Sequence, residues 1–252
     1  MNKIALITGA SSGIGKAIAY KLAEINFDVI ITGRRGNLLD SIEKDIKQKY
    51  GVQAISLSFD IRDRSQCERA IEKLPQEWRN IDVLVNNAGL AAGLSKIQDG
   101  NFEHWDMMID TNLKGLLNIT KLISPIFINK NEGHIINIGS IAGKEVYPNG
   151  NVYCATKHAV DALTKAMRID MVEHNVKVTA INPGMVETEF SIVRFDGDKE
   201  KAKSVYEGIV PLYADDIAEA VVFAVTRPKH VNINDMLIMP TIQASATVVN
   251  RN

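Results

Sequence analysis

The sequence predicts an α/β protein with a doubly wound parallel sheet and helices on both faces, in a single domain over residues 1–252. Two observations support this fold class. Short apolar runs alternate strictly with longer stretches in which apolar residues recur at helical spacing, which is typical of consecutive βαβ units. A hydrophobic fraction of 46% is also enough for one core, and no linker, repeat or low-complexity segment interrupts the chain.

The first unit is a strand, a glycine-rich turn and a helix. An apolar run at residues 4–8 predicts a buried strand, and helical spacing resumes over residues 16–25. Glycines between them permit positive φ and let backbone N–H groups approach a pyrophosphate, while the helix start adds partial positive charge. We therefore predict a dinucleotide site, with a tight turn that binds no ligand as the alternative. Its predicted cofactor contacts are Gly9, Ser11, Ser12, Gly13, Ile14 and Gly15.

The remaining elements continue the alternation. Strands are predicted at residues 28–32, 54–59, 81–85, 134–138 and 176–181. Helices are predicted at residues 38–50, 65–74, 102–129, 152–174 and 214–226. The irregular, polar stretch 188–208 follows a strand end, so we expect a lid over about residues 186–210. A cofactor half, about 1–90, would then precede a catalytic and substrate half, about 91–252.

Composition narrows the class of partner. The 29 basic and 30 acidic residues give a net charge of -1, and no basic stripe argues for nucleic acid. No apolar run reaches the roughly 20 residues of a membrane helix, and no secretory signal is evident. Cys67 and Cys154 are too few for a disulfide framework, which fits a reducing, cytoplasmic compartment. The five histidines lack metal-ligand spacing, so no metal site is predicted.

Polar residues after the second and third strands predict the cofactor. Arg34 and Arg35 stand where an NAD-binding chain usually has an acid for the ribose 2′-hydroxyl, so they favour a 2′-phosphate and hence NADP. The alternative is that both arginines merely solvate a helix start. Asp60 and Ile61 could face the adenine, although Asp60 could equally cap a helix.

The later strand ends carry the candidate chemistry. Ser140 follows the fifth strand, and Tyr153 and Lys157 share a helix face because they are four residues apart. We expect the ammonium to lower the pKa of the phenol from about 10, so that Tyr153 can exchange a proton with a carbonyl oxygen to which Ser140 also hydrogen-bonds. Asn87, Ala88 and Gly89 follow the fourth strand and could be site residues or a plain turn.

In order and spacing, these motifs resemble the short-chain dehydrogenase/reductase family over essentially the whole chain. The matching residues are Thr8 to Gly15, Asn86 to Gly89, Asn112, Ser140, Tyr153, Lys157, Pro183 and Gly184. The resemblance implies a Rossmann-type fold, with Tyr153 as acid/base and Ser140 polarising the carbonyl. It implies that Lys157 holds the nicotinamide ribose and that Asn112 anchors a water in a proton relay. Further implied cofactor contacts are Tyr153, Lys157, Pro183, Gly184, Val186 and Thr188.

Within that family, residues 32–35, 86–93, 189–195 and 230–234 resemble the NADP-dependent 3-hydroxy acid dehydrogenases. This implies an oxidoreductase acting on small 3-hydroxy acids such as serine, with Ser140 and Tyr153 at the substrate. Arg194 is the candidate partner of the substrate carboxylate, or else a solvated lid charge. A homotetramer is expected from the apolar faces of the long helices. The alternatives are a 3-oxoacyl-thioester ketoreductase, a broad carbonyl reductase and a nucleotide sensor without catalysis.

Overall fold

The computed structural model describes residues 2–251, in which one seven-stranded parallel sheet is flanked by helices. The strands are β1 Ile4–Thr8, β2 Asp28–Gly33, β3 Ala54–Ser58, β4 Val83–Asn86, β5 Gly133–Ile138, β6 Val176–Pro183 and β7 Asp235–Ile238. The helices are α1 Gly13–Glu24, α2 Gly36–Tyr50, α3 Arg64–Glu72, α4 Phe102–Ile109, α5 Leu116–Lys130, α6 Asn151–Asp170, α7 Phe190–Arg194, α8 Lys199–Ser204 and α9 Ala214–Val225. The predicted fold class is confirmed.

The sheet has a buried core on each face. Leu6 and Ile7 of β1 are fully buried and point to opposite faces, because successive side chains of a strand alternate. One face packs against α1, α2 and α9 through residues such as Ile18 and Ile217. The other packs against α3, α5 and α6, with Phe127 among its largest buried side chains.

The strand order is β3-β2-β1-β4-β5-β6-β7, so the chain moves outward from β1 in both directions. β1 pairs with β2 on one side and with β4 on the other. The loops after β1 and β4 therefore leave the sheet on either side of a crevice, which is where open α/β sheets bind ligands. The order of the strands thus places the glycine-rich turn at the mouth of this crevice.

β7 is the strand that the sequence prediction missed. It has four residues, Asp-Met-Leu-Ile, and its side chains alternate between exposed and half-buried positions. It pairs in parallel with the end of β6, from Ala180 opposite Asp235 to Pro183 opposite Ile238. So short a run at the edge of the sheet gives too weak an apolar pattern to be predicted.

The predicted helix over residues 102–129 is two helices joined by a π-helical turn at Asp110–Gly115. A continuous apolar face does not reveal such a turn, because one extra residue leaves the spacing on each side intact. The predicted helix over 152–174 also ends earlier, at Asp170, and is followed by a 3₁₀ turn at Val172–His174.

The predicted irregular segment contains two short helices, α7 and α8. Asp196 and Gly197 separate them with φ values of 52° and 91°. The Asp198 carboxylate then caps α8 by accepting a hydrogen bond from the Lys201 N–H at 3.0 Å. Among the helices of residues 2–251, none is both long enough and apolar enough to cross a bilayer.

Candidate active site

A cavity of about 960 Å³ lies along the carboxyl ends of the strands. The loops after the first six strands, the lid and the chain beyond residue 242 all contribute to its wall. Every predicted site residue lines the cavity except Gly15 and Asn112. The volume is in the range of small-molecule and cofactor sites. The structure therefore brings the residues predicted from separate motifs into one place.

The glycine turn is shaped by its backbone. Gly9 and Gly13 adopt φ values of +67° and +52°, in the left-handed region that favours glycine. Gly15 serves a different purpose, since a Cβ there would lie 2.4 Å from the Gly9 carbonyl oxygen and from Asn87 Nδ2. Gly15 thus permits close packing beneath the turn instead of lining the cavity.

Asn87 and Thr8 hold the two sides of the crevice together. Asn87 Nδ2 donates to the carbonyl oxygens of Thr8 and Gly9 at 2.9 and 3.2 Å. The backbone N–H groups of Asn87 and Ala88 both donate to Thr8 Oγ1 at 3.0 Å. These bonds place the loop after β4 directly beside the glycine turn.

Arg35 bridges the glycine turn and the lid. Its guanidinium donates to the hydroxyl oxygens of Ser11 and Ser12, and its Nη1 lies 3.0 Å from a Glu189 carboxylate oxygen. Arg34 and Arg35 are both exposed at the rim of the cavity. The two arginines predicted to bind a phosphate therefore stand at the cavity, and one of them is paired with a lid acid.

Asp60 lines the cavity but does not cap a helix. Its carboxylate accepts hydrogen bonds from the Arg62 side chain, which holds the pKa of Asp60 below its usual value. The cap of α3 is Asp63, which accepts from the Gln66 N–H at 3.0 Å. The alternative interpretation of Asp60 as a helix cap is therefore wrong.

Ser140, Tyr153 and Lys157 converge as buried polar side chains, with exposed fractions of 9%, 8% and 7%. Lys157 Nζ donates to the Ile138 carbonyl oxygen at 3.0 Å and lies 5.9 Å from the centre of the Tyr153 ring. Ser140 Oγ accepts from the Ala142 N–H at 3.1 Å. Because that bond uses a lone pair, the Ser140 hydroxyl hydrogen is free to be donated to another oxygen.

Burial governs the ionisation of this group. It raises the pKa of the Tyr153 phenol, and the neighbouring Tyr147 adds to this, while Ser140 and the Arg194 charge act in the opposite direction. Burial also lowers the pKa of Lys157 to about 8. The pKa of Tyr153 therefore lies above its usual value and not below it as expected from the spacing to Lys157, because desolvation of the phenol is the largest effect. Tyr153 is consequently a neutral proton donor near pH 7.

Asn112 lies in the π-helical turn and is 2% exposed. Its Oδ1 accepts from the Leu90 N–H and its Nδ2 donates to the Leu90 carbonyl oxygen, both at 2.9 Å. Nδ2 also donates to Thr156 Oγ1 at 3.0 Å. The side chain therefore ties the loop after β4 to α6. Because both Nδ2 hydrogens are used, the anchored water, which stays a prediction, would have to donate to Oδ1 or to the main-chain oxygen.

Arg194 reaches the site from the end of α7. Its Nη2 donates to the Tyr147 hydroxyl at 2.6 Å, and its guanidinium carbon lies 5.6 Å from the centre of the Tyr153 ring. The Gly93 N–H donates to the Arg194 carbonyl oxygen at 2.9 Å, which fixes the end of the lid helix. A cation thus stands beside the predicted acid/base.

Of the lining residues that the sequence prediction missed, three lie against residues that shape the site. Tyr147 supports Arg194, and the Phe190 ring meets the Tyr153 ring edge-on at 5.7 Å. Gln243 is buried, and its Oε1 accepts from the Met185 N–H at 2.8 Å. For Tyr147 and Phe190, the only signal was proximity in sequence to Ser140 and Arg194. Gln243 had no signal, because its segment follows the unpredicted β7.

The fold and this arrangement of Ser140, Tyr153 and Lys157 define a nicotinamide-dependent oxidoreductase class, and comparison with known proteins agrees. Residues 3–199 match the family described as short chain dehydrogenase, and the chain belongs to that family. The resemblance noted from the motifs is therefore confirmed.

Individual relatives carry names more specific than that of the family. The chain is 45% identical over 250 residues to an NADP-dependent 3-hydroxy acid dehydrogenase of Schizosaccharomyces pombe, covering 99% of this chain and 96% of that protein. It is 42% identical to sulfoacetaldehyde reductase 2 of Chromohalobacter salexigens over all of both chains. The solved structure of the closed form of serine dehydrogenase complexed with NADP+ superposes with a TM-score of 0.92 at 43% identity, covering 99% of this chain and 100% of that one.

Proposed function

We propose that this protein is an NADP-dependent oxidoreductase that transfers a hydride between NADP(H) and the hydroxyl or carbonyl carbon of a small 3-hydroxy acid. The observation that carries the proposal is the Arg194 guanidinium, whose carbon is 5.6 Å from the Tyr153 ring centre. A buried carboxylate needs such a cation, because leaving it unpaired costs several kcal/mol. The names of the S. pombe relative and of the serine dehydrogenase structure support the same substrate class.

The residues at the cavity fit NADP. Gly9 and Gly13 line the cavity without side chains, and Arg35 supplies a fork of donors suited to a phosphate. Lys157 carries three N–H donors, of which the structure of residues 2–251 shows one bonded, to Ile138. The others are available to ribose hydroxyls. When bound, the nicotinamide donates or accepts the hydride.

The protein supplies proton transfer and polarisation. In the reducing direction, the neutral Tyr153 donates its phenolic proton to the carbonyl oxygen as that oxygen gains negative charge. Ser140 donates its hydroxyl hydrogen to the same oxygen, because its bond with the Ala142 N–H uses only a lone pair of the hydroxyl oxygen and leaves the hydrogen free. The Lys157 cation stabilises the phenolate left on Tyr153. Oxidation of the alcohol reverses these steps.

Self-association is the second part of the proposal. Phe102, Leu117 and Ile169 lie on α4, α5 and α6 and are 75%, 44% and 74% exposed. Apolar side chains so exposed on neighbouring helices are typical of interfaces between subunits. We propose a homotetramer, which sedimentation at micromolar protein concentration would test, with a monomer as the contrary result. The buried free thiols of Cys67 and Cys154 support a cytoplasmic location.

A substrate screen with both NADP and NADPH tests the proposal. Serine, 3-hydroxypropionate and malonic semialdehyde should turn over faster than simple alcohols, acyl thioesters or sulfoacetaldehyde. Tyr153→Phe should lower kcat by at least about 100-fold, the usual scale of a lost acid/base, and leave NADP binding intact. Preference for thioesters would favour the ketoreductase alternative. Unchanged turnover in Tyr153→Phe would remove the assigned mechanism, and no turnover with bound NADP would favour the nucleotide sensor.

A further inference from the structure

Ser140 is held from behind by a chain of hydrogen bonds that the proposed reaction does not use. Asn182, near the end of β6, is 1% exposed, and its Oδ1 accepts from the Ser140 N–H at 3.2 Å. Its Nδ2 donates to an Asp235 carboxylate oxygen at 3.1 Å. The same amide therefore touches the backbone of the candidate carbonyl-polarising residue and the first residue of β7.

Asp235 sets which way round the Asn182 amide lies. A carboxylate accepts hydrogen bonds and cannot donate them, so Nδ2 must face Asp235 and Oδ1 must face Ser140. With the amide reversed, Oδ1 would face the Asp235 carboxylate, acceptor against acceptor, and Nδ2 would face the Ser140 N–H, donor against donor. The Asn182 amide occupies the space that a side chain at position 139 would need, since a Cβ built on Gly139 would clash with Asn182 Oδ1.

Lys144 connects this chain to the helix that carries Tyr153. Its Nζ lies 2.6 Å from a carboxylate oxygen of Asp235 and 2.6 Å from one of Asp161, which belongs to α6. Lys144 itself directly follows the 3₁₀ turn Ile141–Gly143, which Ser140 caps. The segment bearing Ser140, the helix bearing Tyr153 and the edge strand are thus tied at one point.

We propose that Asn182, oriented by Asp235, is a positioning residue that holds Ser140 in the geometry needed to polarise the substrate carbonyl. This inference rests on the proposed role of Ser140 in the reaction. Asn182 acts through the Ser140 backbone, whereas the hydroxyl of Ser140 is what meets the substrate. Asp235 acts through its contact with Asn182, and Lys144 acts through its contact with Asp235.

Exchanging the two side chains tests the idea. In Asn182→Asp, a carboxylate can still accept from Ser140, but it now meets Asp235 with no donor between them. We expect kcat to fall about tenfold, the scale of one disrupted hydrogen bond, with the KM for NADP little changed. Adding Asp235→Asn returns a donor to the pair, with its direction reversed, and should restore kcat to within about threefold of the wild-type value.

A second set of variants tests whether Asn182→Asp lowers kcat through its contact with Ser140. Ser140→Ala alone should lower kcat by about 100-fold or more, as for other lost donors to a developing oxyanion. In that background, Asn182→Asp should have no further effect on kcat. Thermal unfolding of each variant shows whether a loss of rate merely follows a loss of stability.

The outcomes separate the two proposals. Wild-type kcat in Ser140→Ala would overturn the proposed role of Ser140 itself. If Ser140→Ala is impaired but Asn182→Asp is unaffected, equally harmful in both backgrounds, or not rescued by Asp235→Asn, Asn182 is not a positioning residue. Rescue in the exchanged pair together with loss of the Asn182 effect in Ser140→Ala would support the inference.

Discussion

The ion pair between Arg35 and Glu189 predicts how substitutions at either residue change the affinity for NADP. Arg35 Nη1 lies 3.0 Å from the Glu189 carboxylate. If Arg35 binds the 2′-phosphate as predicted, the lid acid would compete with that phosphate for the same guanidinium. Their side chains are 45% and 53% exposed, and exposed pairs contribute about 0.2 to 1 kcal/mol. Glu189→Gln should therefore strengthen NADP binding by up to about fivefold.

Arg35→Met should act in the opposite direction and more strongly. A charge-assisted hydrogen bond to a phosphate contributes about 1.5 to 3 kcal/mol, which corresponds to about 10- to 150-fold weaker NADP binding. NAD has no 2′-phosphate, so its affinity should change less than about twofold in either variant. Calorimetric titration of both cofactors against the wild type and each variant measures these differences, and Arg34→Met, at the second predicted phosphate arginine, shows how the preference divides between the two.

The double variant gives the decisive comparison. Once Arg35 is absent, Glu189 has no guanidinium to pair with, so Glu189→Gln in the Arg35→Met background should leave NADP affinity unchanged. An improvement in that background, or an equal improvement for NAD in the single variant, would refute the competition. The first result would mean that Glu189 repels the phosphate directly, and the second that it acts on a part common to both cofactors.

Three further predictions concern the substrate, acid stability and the glycine turn. Arg194→Met should raise KM for serine about tenfold or more and change KM for serine methyl ester little; equal changes would remove Arg194 from the carboxylate site. Burial lowers the pKa of His134 to about 3, so between pH 6.5 and 3 the unfolded chain binds a proton that the folded protein does not. The free energy of unfolding should therefore decrease by up to about 1.4 kcal/mol for each pH unit by which the pH is lowered through this range. Denaturation of His134→Gln at several pH values should show a shallower dependence on pH, and parallel curves for the two proteins would contradict the prediction. Gly15→Ala forces a Cβ against the Gly9 carbonyl oxygen and should weaken NADP binding measurably in the same titration; wild-type affinity would contradict this packing role.

Residues in periodic or motif positions were the predictable part of this protein. Buried runs such as Ile4–Thr8 predicted their strands, because burial on both faces leaves a continuous apolar signal. Tyr153 and Lys157 were predicted because their spacing alone places them on one helix face. Asn112 had no such signal from its residue type and entered only through the family resemblance.

Contacts that depend on tertiary arrangement were not predictable. Tyr147 meets Arg194, and Asn182 meets Asp235, across long separations in sequence and with no periodic pattern. The direction of the Tyr153 pKa shift was wrong for a related reason. Spacing shows which charge lies nearby, but desolvation depends on how completely the rest of the chain covers the phenol.

The π-helical turn at Asp110–Gly115 absorbs one extra residue between α4 and α5. Deleting one residue from the turn would let the two helices join as a regular helix, with the buried Ile119 and Phe127 still facing the sheet. A deletion within α5 itself would instead rotate the residues that follow by about 100° and turn Phe127 away from the sheet. Single-residue deletions should therefore disturb the core less in the turn than in α5, and loss of the turn would displace Asn112 from Leu90. The exposed stretch around Asp196 and Gly197 can change length without disturbing the sheet.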